Sequence, residues 1–303
     1  MKNFHSLFCF FLIFFFLSGL PVLSQAGIHD DPPKVIKKTT EFLDQGPWPT
    51  LFQINQKFDE FTFLDMKELE TKKPSASEII VQLSDLLSKD ESESQVQTAI
   101  EALNLSELGI TAEVLKDLVE FIQAHFPNIK ELNLSFNNIG AAGIDHLAKL
   151  SQLEKLELAG NQIGEAEAAH LAKLTQLKSL NLYGNQIGEA GAAHLAKLTQ
   201  LKSLELFNNE IGEAGVAHLK TLSQLEKLHL SFNKIKTAGV AHLTALSQLK
   251  SLELSFNEIG EAGVVHLKTL SQLEMLDLSG NKIDDIPIYT LREALGKSVI
   301  IIY

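Results

Sequence analysis

The chain has 303 residues, 45% of them hydrophobic, and a formal charge of −12 in which the cations are 25 lysines and a single arginine, Arg292. This balance excludes the clustered Arg and Lys that replace counterions and grip phosphates and base edges, so no nucleic-acid partner is expected. The one cysteine, Cys9, lies in the first dozen residues, and a chain cut behind it would have neither disulfide nor thiol chemistry.

The N-terminus has the layout of an export signal. Lys2 supplies positive charge, Leu7 to Leu17 is a Phe-rich apolar run, Ser18-Gly19-Leu20-Pro21 breaks a helix, and Ser24 and Ala26 place small residues three and one before a cut. Residues 1–26 are therefore read as a signal peptide cleaved near Ala26, with an uncleaved membrane anchor as the alternative, although the run is short for a bilayer span. No other segment has the length and apolarity to cross a membrane. Residues 27–98 are expected to form a mainly helical region or cap. Asp30-Asp31-Pro32-Pro33 and Gly46-Pro47-Trp48-Pro49 force turns or extended chain, a short helix fits Val35 to Leu43, and Phe52 to Leu64 has enough apolar mass to need a partner surface. A capping box at Ser75-Ala76-Ser77-Glu78 opens a helix over about 76–88, followed by the polar linker Lys89 to Ser94.

Residues 99–128 read as a longer first coil of the array that follows. Ile100, Leu103 and Leu105 precede Ile129, Leu132 and Leu134 by 29 residues, and Thr111 is placed to cap a helix that stops at Pro127. One motif is then written seven times over 129–284: IKELNLSFNNIG, LEKLELAGNQIG, LKSLNLYGNQIG, LKSLELFNNEIG, LEKLHLSFNKIK, LKSLELSFNEIG and LEMLDLSGNKID. The period is 24 residues throughout, the signature of a solenoid whose repeats bury a core only against their neighbours. Residues 285–303, with a last helix over Thr290 to Leu295 and an apolar tail from Val299, suit a C-terminal cap.

Each coil explains its own residues. In Leu177-x-x-Leu180-x-Leu182 the alternation predicts a strand with its leucines inward and Ser179, Asn181 and Tyr183 outward. Asn137, Asn161, Asn185, Asn209, Asn233, Asn257 and Asn281 fall where each strand ends, and an amide carries the donor and acceptor needed by backbone groups that a turn leaves unpaired. Leu108 stands at that position in the first coil. Gly188 and Gly191 suit a tight turn into a helix with Glu189 at its positive end, and Ala190, His194, Leu195 and Leu198 are expected as its inward stripe. The fold class is α/β, with a parallel sheet on the concave side, because strands spaced ~4.8 Å apart bend away from helices that need ~9–10 Å.

The motif L-x-x-L-x-L-x-x-N-x-I-G followed by A-G-x-x-x-L-x-x-L resembles the leucine-rich repeat family, with the 24-residue length of its ribonuclease-inhibitor-like class and of bacterial GALA-type repeats in particular. The likeness covers about residues 99–285. It implies a horseshoe that recognises protein through its concave strands and adjoining loops.

No feature recommends catalysis or a cofactor. The chain has no phosphate-cradling Gly-Lys motif and no H-E-x-x-H pair, and near-identical repeats do not build a unique converging site. His146, His170, His194, His218, His242 and His266 form a column on the helical side, where neighbours ~9–10 Å apart cannot share one metal, so they read as spacers multiplied by duplication. The outward strand positions are more informative, because there the repeats differ. One column carries Glu157, Asn181, Glu205, His229, Glu253 and Asp277, and the next carries Tyr183 and Phe207 among Ser and Ala. Acids around an aromatic pair make a candidate surface for a basic or mixed protein partner. Phe136, Phe232 and Phe256, each just before a ladder asparagine, are expected to pack at the loop edge. The functional expectation is an exported binding module acting on a protein outside the cytoplasm, such as one of a host. A ubiquitin-ligase substrate adaptor, which would need residues 47–88 to be an F-box without a clear Leu-Pro start, and a periplasmic scaffold are the alternatives.

Overall fold

The computed structural model describes residues 53–57, 60–65, 79–81, 100–296 and 298–303. The expected signal peptide, the helix at 35–43, the linker at 89–94 and most of the F-box alternative lie outside the described residues. Of the helix expected over 76–88, residues 79–81 are described and are helical, with Ile79 in the core.

Among the described residues the strands form one sheet whose spatial order follows the chain. A hairpin of β1 (Gln53–Lys57) and β2 (Glu60–Asp65) pairs antiparallel, and β2 runs parallel to β3 (Ala102–Asn104), covering an edge that would otherwise be open. This hairpin falls within 27–98, read from sequence as mainly helical; the alternations Phe52-x-Ile54 and Phe61-x-Phe63 are too short to separate strand from helix. The repeats then contribute β4 (Glu131–Asn133), β5 (Lys155–Glu157), β6 (Ser179–Asn181), β7 (Ser203–Glu205), β8 (Lys227–His229), β9 (Ser251–Glu253) and β10 (Met275–Asp277), all parallel. The C-terminal tail adds β11 (Ile300–Ile302) in parallel to β10.

Register follows from the leucines. Leu132, Leu156, Leu180, Leu204, Leu228, Leu252 and Leu276 pair side by side and are all buried. A slip of one residue would turn this column out to solvent, so the pattern admits one pairing. Behind the sheet lie α1 (Ala112–His125), α2 (Gly140–Leu147), α3 (Glu165–Leu171), α4 (Gly188–Leu195), α5 (Glu213–Leu219), α6 (Thr237–Leu243), α7 (Glu261–Val264), continued by a 3-10 turn at Val265–Thr269, and α8 (Asp285–Leu295). No described helix is long and apolar enough to cross a membrane.

Three local expectations are corrected. Thr111 is the residue before α1 but makes no side-chain capping bond. In α4 the buried residues are Gly191, Ala192 and Leu195, with Leu198 beyond them, whereas Ala190 and His194 are only half-buried. Gly191 is not a turn residue: a Cβ there would come within 2.7 Å of Ile187 Cγ2 and 3.4 Å of the Ala168 Cβ, so its bareness lets α4 approach α3. Gly188 does the turning, at φ +61°.

Candidate functional site

The asparagine ladder is a chain of side chain to backbone bonds across repeats. Asn185 Nδ2 donates to Leu158 O and Leu182 O, each at 2.9 Å, while its Oδ1 accepts from Asn161 N at 3.1 Å and Ile163 N at 2.9 Å. Asn209, Asn233, Asn257 and Asn281 likewise donate into the preceding repeat, to Leu182, Leu206, Leu230 and Leu254. Asn137 serves the first coil in the same way, through Leu105 O at 2.9 Å and Ile110 N at 2.9 Å, while the buried Leu108 at that coil's own ladder position has no polar side-chain group to do the same. These residues hold the scaffold and do not face a partner.

The outward strand column divides in two. Asn104, Asn133, Asn181 and Asp277 each accept, at 2.8 to 3.1 Å, from the backbone N–H two residues on, a local turn that ends the strand. Asn181 is thus largely structural. The glutamates extend over the face, and three residues from adjacent strands meet there: His229 Nδ1 lies 2.9 Å from Glu205 Oε2 and its Nε2 lies 3.4 Å from Glu253 Oε2. Carboxylates at both ring nitrogens call for a donor at each, which imidazolium provides and neutral imidazole does not. Burial pushes His229 down, but the bond to Glu205 and the charges of Glu253, Glu205 and Asp277 outweigh it and hold the group above its ordinary value. Burial also raises Glu253, helped by Glu205 and Asp277 and opposed by His229.

Beside this cluster runs an aromatic ridge. Tyr183 stacks on Phe207 with ring centroids 4.7 Å apart, Phe207 meets Phe232 at 4.8 Å, and Phe232 stacks on Phe256 at 4.3 Å. Phe207 also sets its ring edge-on to His229 at 5.3 Å. Phe207 and His229 are buried, so they support the patch from beneath, while Tyr183, Glu157, Glu205, Glu253 and Asp277 remain partly accessible. The structure thus brings Tyr183, Glu205, Phe207, His229 and Glu253 together. Glu157, paired with Lys155 at 3.5 Å, stands two strands away from Glu205.

Phe232 and Phe256 belong to this ensemble, although loop-edge packing is all that their sequence position suggests. The column just before the ladder asparagine is left-handed in every coil: Glu107 φ 65°, Phe136 58°, Gly160 61°, Gly184 62°, Asn208 51°, Phe232 56°, Phe256 52° and Gly280 69°. Glycine takes this conformation freely, whereas a phenylalanine bears about 1–2 kcal/mol of strain. Three strained phenylalanines in a column otherwise served by Gly, Asn and, in the first coil, Glu107 are the signal that a column-by-column reading could have used. The strain has a measurable consequence. Phe136 is 45% exposed and rests on Gly160, so Phe136→Gly should leave unfolding free energy within about 1 kcal/mol of wild type, relief of strain offsetting lost contact. Phe232→Gly removes a ring held between two others and should cost about 2–3 kcal/mol in urea unfolding. Equal losses for the two variants would contradict this account.

The helical histidines do not join any such site. His146, His170, His194 and His242 are half-buried, and His218 and His266 are exposed. Among the described residues no group of three or more His, Cys, Asp or Glu side chains converges as metal ligands would.

Comparison with known proteins agrees with this architecture. The family described as "Leucine rich repeat" matches residues 127–187, 151–211 and 199–259, and a second leucine-rich-repeat family matches 272–293. No curated protein matches in sequence. Among solved structures, internalin C2 of Listeria monocytogenes is similar at 25% identity and a TM-score of 0.56, over 69% of this chain and 82% of that one. An internalin of the same species, inlF, is similar at 26% identity and a TM-score of 0.52, over 71% of this chain and 64% of its own. A leucine-rich-repeat protein of Leptospira interrogans shares the fold at 20% identity and a TM-score of 0.54, over 70% of this chain and 50% of its own. Repeat period, strand register, asparagine ladder and family match converge: the chain belongs to the leucine-rich repeat family.

Proposed function

We propose that this protein is an exported interaction module, of the general kind represented by the internalins, that binds a protein partner through the concave face of its solenoid. The observation that carries the reading is the patch of Tyr183, Glu205 and Glu253, seated on Phe207 and His229 and drawn from adjacent repeats that are otherwise near copies. Where a scaffold needs identical residues the repeats are identical; where a surface must discriminate they differ. The export-signal layout of residues 1–26 and the bacterial origin of the similar structures support a partner outside the cytoplasm, such as a host protein.

The test is affinity for a protein recovered by pull-down from the surroundings of the producing cell. Charge reversal to lysine at Glu157, Glu205, Glu253 and Asp277 should weaken it about a hundredfold or more if the partner is basic where it docks. Unaltered affinity in a variant with an unchanged circular dichroism spectrum would remove the concave face from the reading. Fractionation of cells and medium tests the compartment, since retention in the periplasm would favour a scaffold.

A further inference from the structure

The rings of the ridge are not equally available on all sides. Phe207 lies between Tyr183 and Phe232, and Phe232 between Phe207 and Phe256. Phe256 has one face on Phe232 and the other on the backbone of Gly280, where an added Cβ would fall 2.7 Å from its ring. Yet Phe256 is 50% exposed, so what it offers solvent is its edge. Ring edges carry the positive end of the aromatic quadrupole, which rejects a stacked cation and gives a sugar ring no face to lie on, but accepts aliphatic contact. Stacking on both sides also holds the ridge rigid, so contact with it costs little ordering.

Charge is distributed unevenly about this ridge. At the start of the strands, lysines and glutamates of successive repeats neutralise one another, as in Lys130 with Glu101 at 2.6 Å, Lys178 with Glu154 at 2.6 Å and Lys250 with Glu226 at 2.7 Å. At the other end, next to the ridge, Glu205, Glu253 and Asp277 have only His229 between them. That side is left negative even with the imidazole charged. Glu253 and Phe256 are three residues apart, which holds them within ~10 Å of each other along the chain.

We infer that the partner docks on the corner where this acidic column meets the Phe232–Phe256 ridge, and that the docked element is a polypeptide segment with a lysine or arginine within four residues of an aliphatic side chain. The inference rests on the protein-binding reading above and adds the ridge, the partner chemistry and a division of labour: carboxylates take the cation, ring edges take the aliphatic group. Phe136 supplies an internal control, being as strained and nearly as exposed as Phe256 but far from the acidic cluster.

The probe is a random dodecapeptide library displayed on phage and selected on the full chain, the enriched peptides then being synthesised and titrated. Enrichment of basic residues close to aliphatic ones is expected. Phe256→Gly should weaken those peptides about tenfold or more, while Phe136→Gly stays within about twofold. Glu253→Gln with Asp277→Asn should also weaken them and flatten the salt dependence, and asparagine keeps the strand-ending turn as it does at Asn181. Binding unchanged by Phe256→Gly but weakened by the charge variant overturns the ridge and leaves the concave-face reading standing. Indifference to both overturns both. Enrichment of acidic peptides, or no enrichment, overturns the assigned partner chemistry.

Discussion

Asn185→Ala should cost the solenoid about 3 kcal/mol or more, read from urea unfolding of the full chain. The amide satisfies two backbone carbonyls and two backbone N–H groups from two neighbouring coils, in a position that is buried. Alanine leaves three of the four without a partner, since Leu182 O still accepts from Asn209 Nδ2 at 2.7 Å, and an unsatisfied buried polar group costs about 1–3 kcal/mol, partly recovered by relaxation. Asn161 offers a graded comparison. Its Nδ2 donates to Leu134 O at 2.9 Å and Ala159 O at 3.1 Å, but its Oδ1 accepts from no protein group although the residue is fully buried. In the turn of the preceding coil Gly140 N bonds to the Asn161 backbone carbonyl at 3.2 Å, and no backbone N–H reaches the side-chain oxygen. Asn161→Ala should therefore cost about half as much as Asn185→Ala. Equal losses would mean that the amide matters through shape and not through the bonds assigned to it.

Replacing His229 by leucine should destabilise the fold by about 2 kcal/mol near neutral pH, since it leaves Glu205 and Glu253 facing each other without a cation between them. Their side chains are 31% and 26% exposed, and solvent screening keeps the loss below that of a fully buried pair. The pH dependence carries a sharper test. His229 and Glu253 both sit above their ordinary values of 6.5 and 4.5 in the folded chain. Stability from such groups is fully present below the unfolded values and is lost as pH rises through the folded ones. Wild type should therefore lose stability from this cluster as pH rises, beginning near the ordinary value of 4.5 for Glu253 and of 6.5 for His229 and continuing through their higher folded values. In Glu205→Gln with Glu253→Gln the carboxylates touching the ring are gone and burial dominates, pulling His229 below its ordinary value. That variant should gain stability relative to wild type over the same window. Parallel pH profiles would rule out the clamped imidazolium. The helical histidines supply a background common to both proteins, so the difference isolates His229.

How much of this was legible in the residues depends on the range of the interaction. Strand placement, the inward leucines and the ladder asparagines repeat with a fixed period, and each is set by neighbours at the same position of the next coil. The seven-fold pattern therefore specifies them. Asn181 looked like a surface residue and proved to be a turn residue, because its bond is to its own chain two positions on. Phe232 and Phe256 looked like loop packing, and a ridge emerged only when rings from adjacent coils were seen face to face. The hairpin of β1 and β2 was not foreseen, since its pairing with β3 joins segments that share no repeat pattern.

The sequence by itself determined the solenoid, its handed alternation of strand and helix, and the columns in which variation is allowed, because a 24-residue period leaves only one register that buries every leucine. Only the tertiary structure decided which varied residues act together. Tyr183, Phe207, Phe232 and Phe256 lie in two different columns: Tyr183 and Phe207 meet as neighbours in one column of adjacent coils, and Phe232 and Phe256, left-handed residues just before ladder asparagines, carry the stack on in the next. Likewise His229 owes its raised proton affinity to carboxylates 24 residues away on either side, brought close to both ring nitrogens by the spacing of parallel strands.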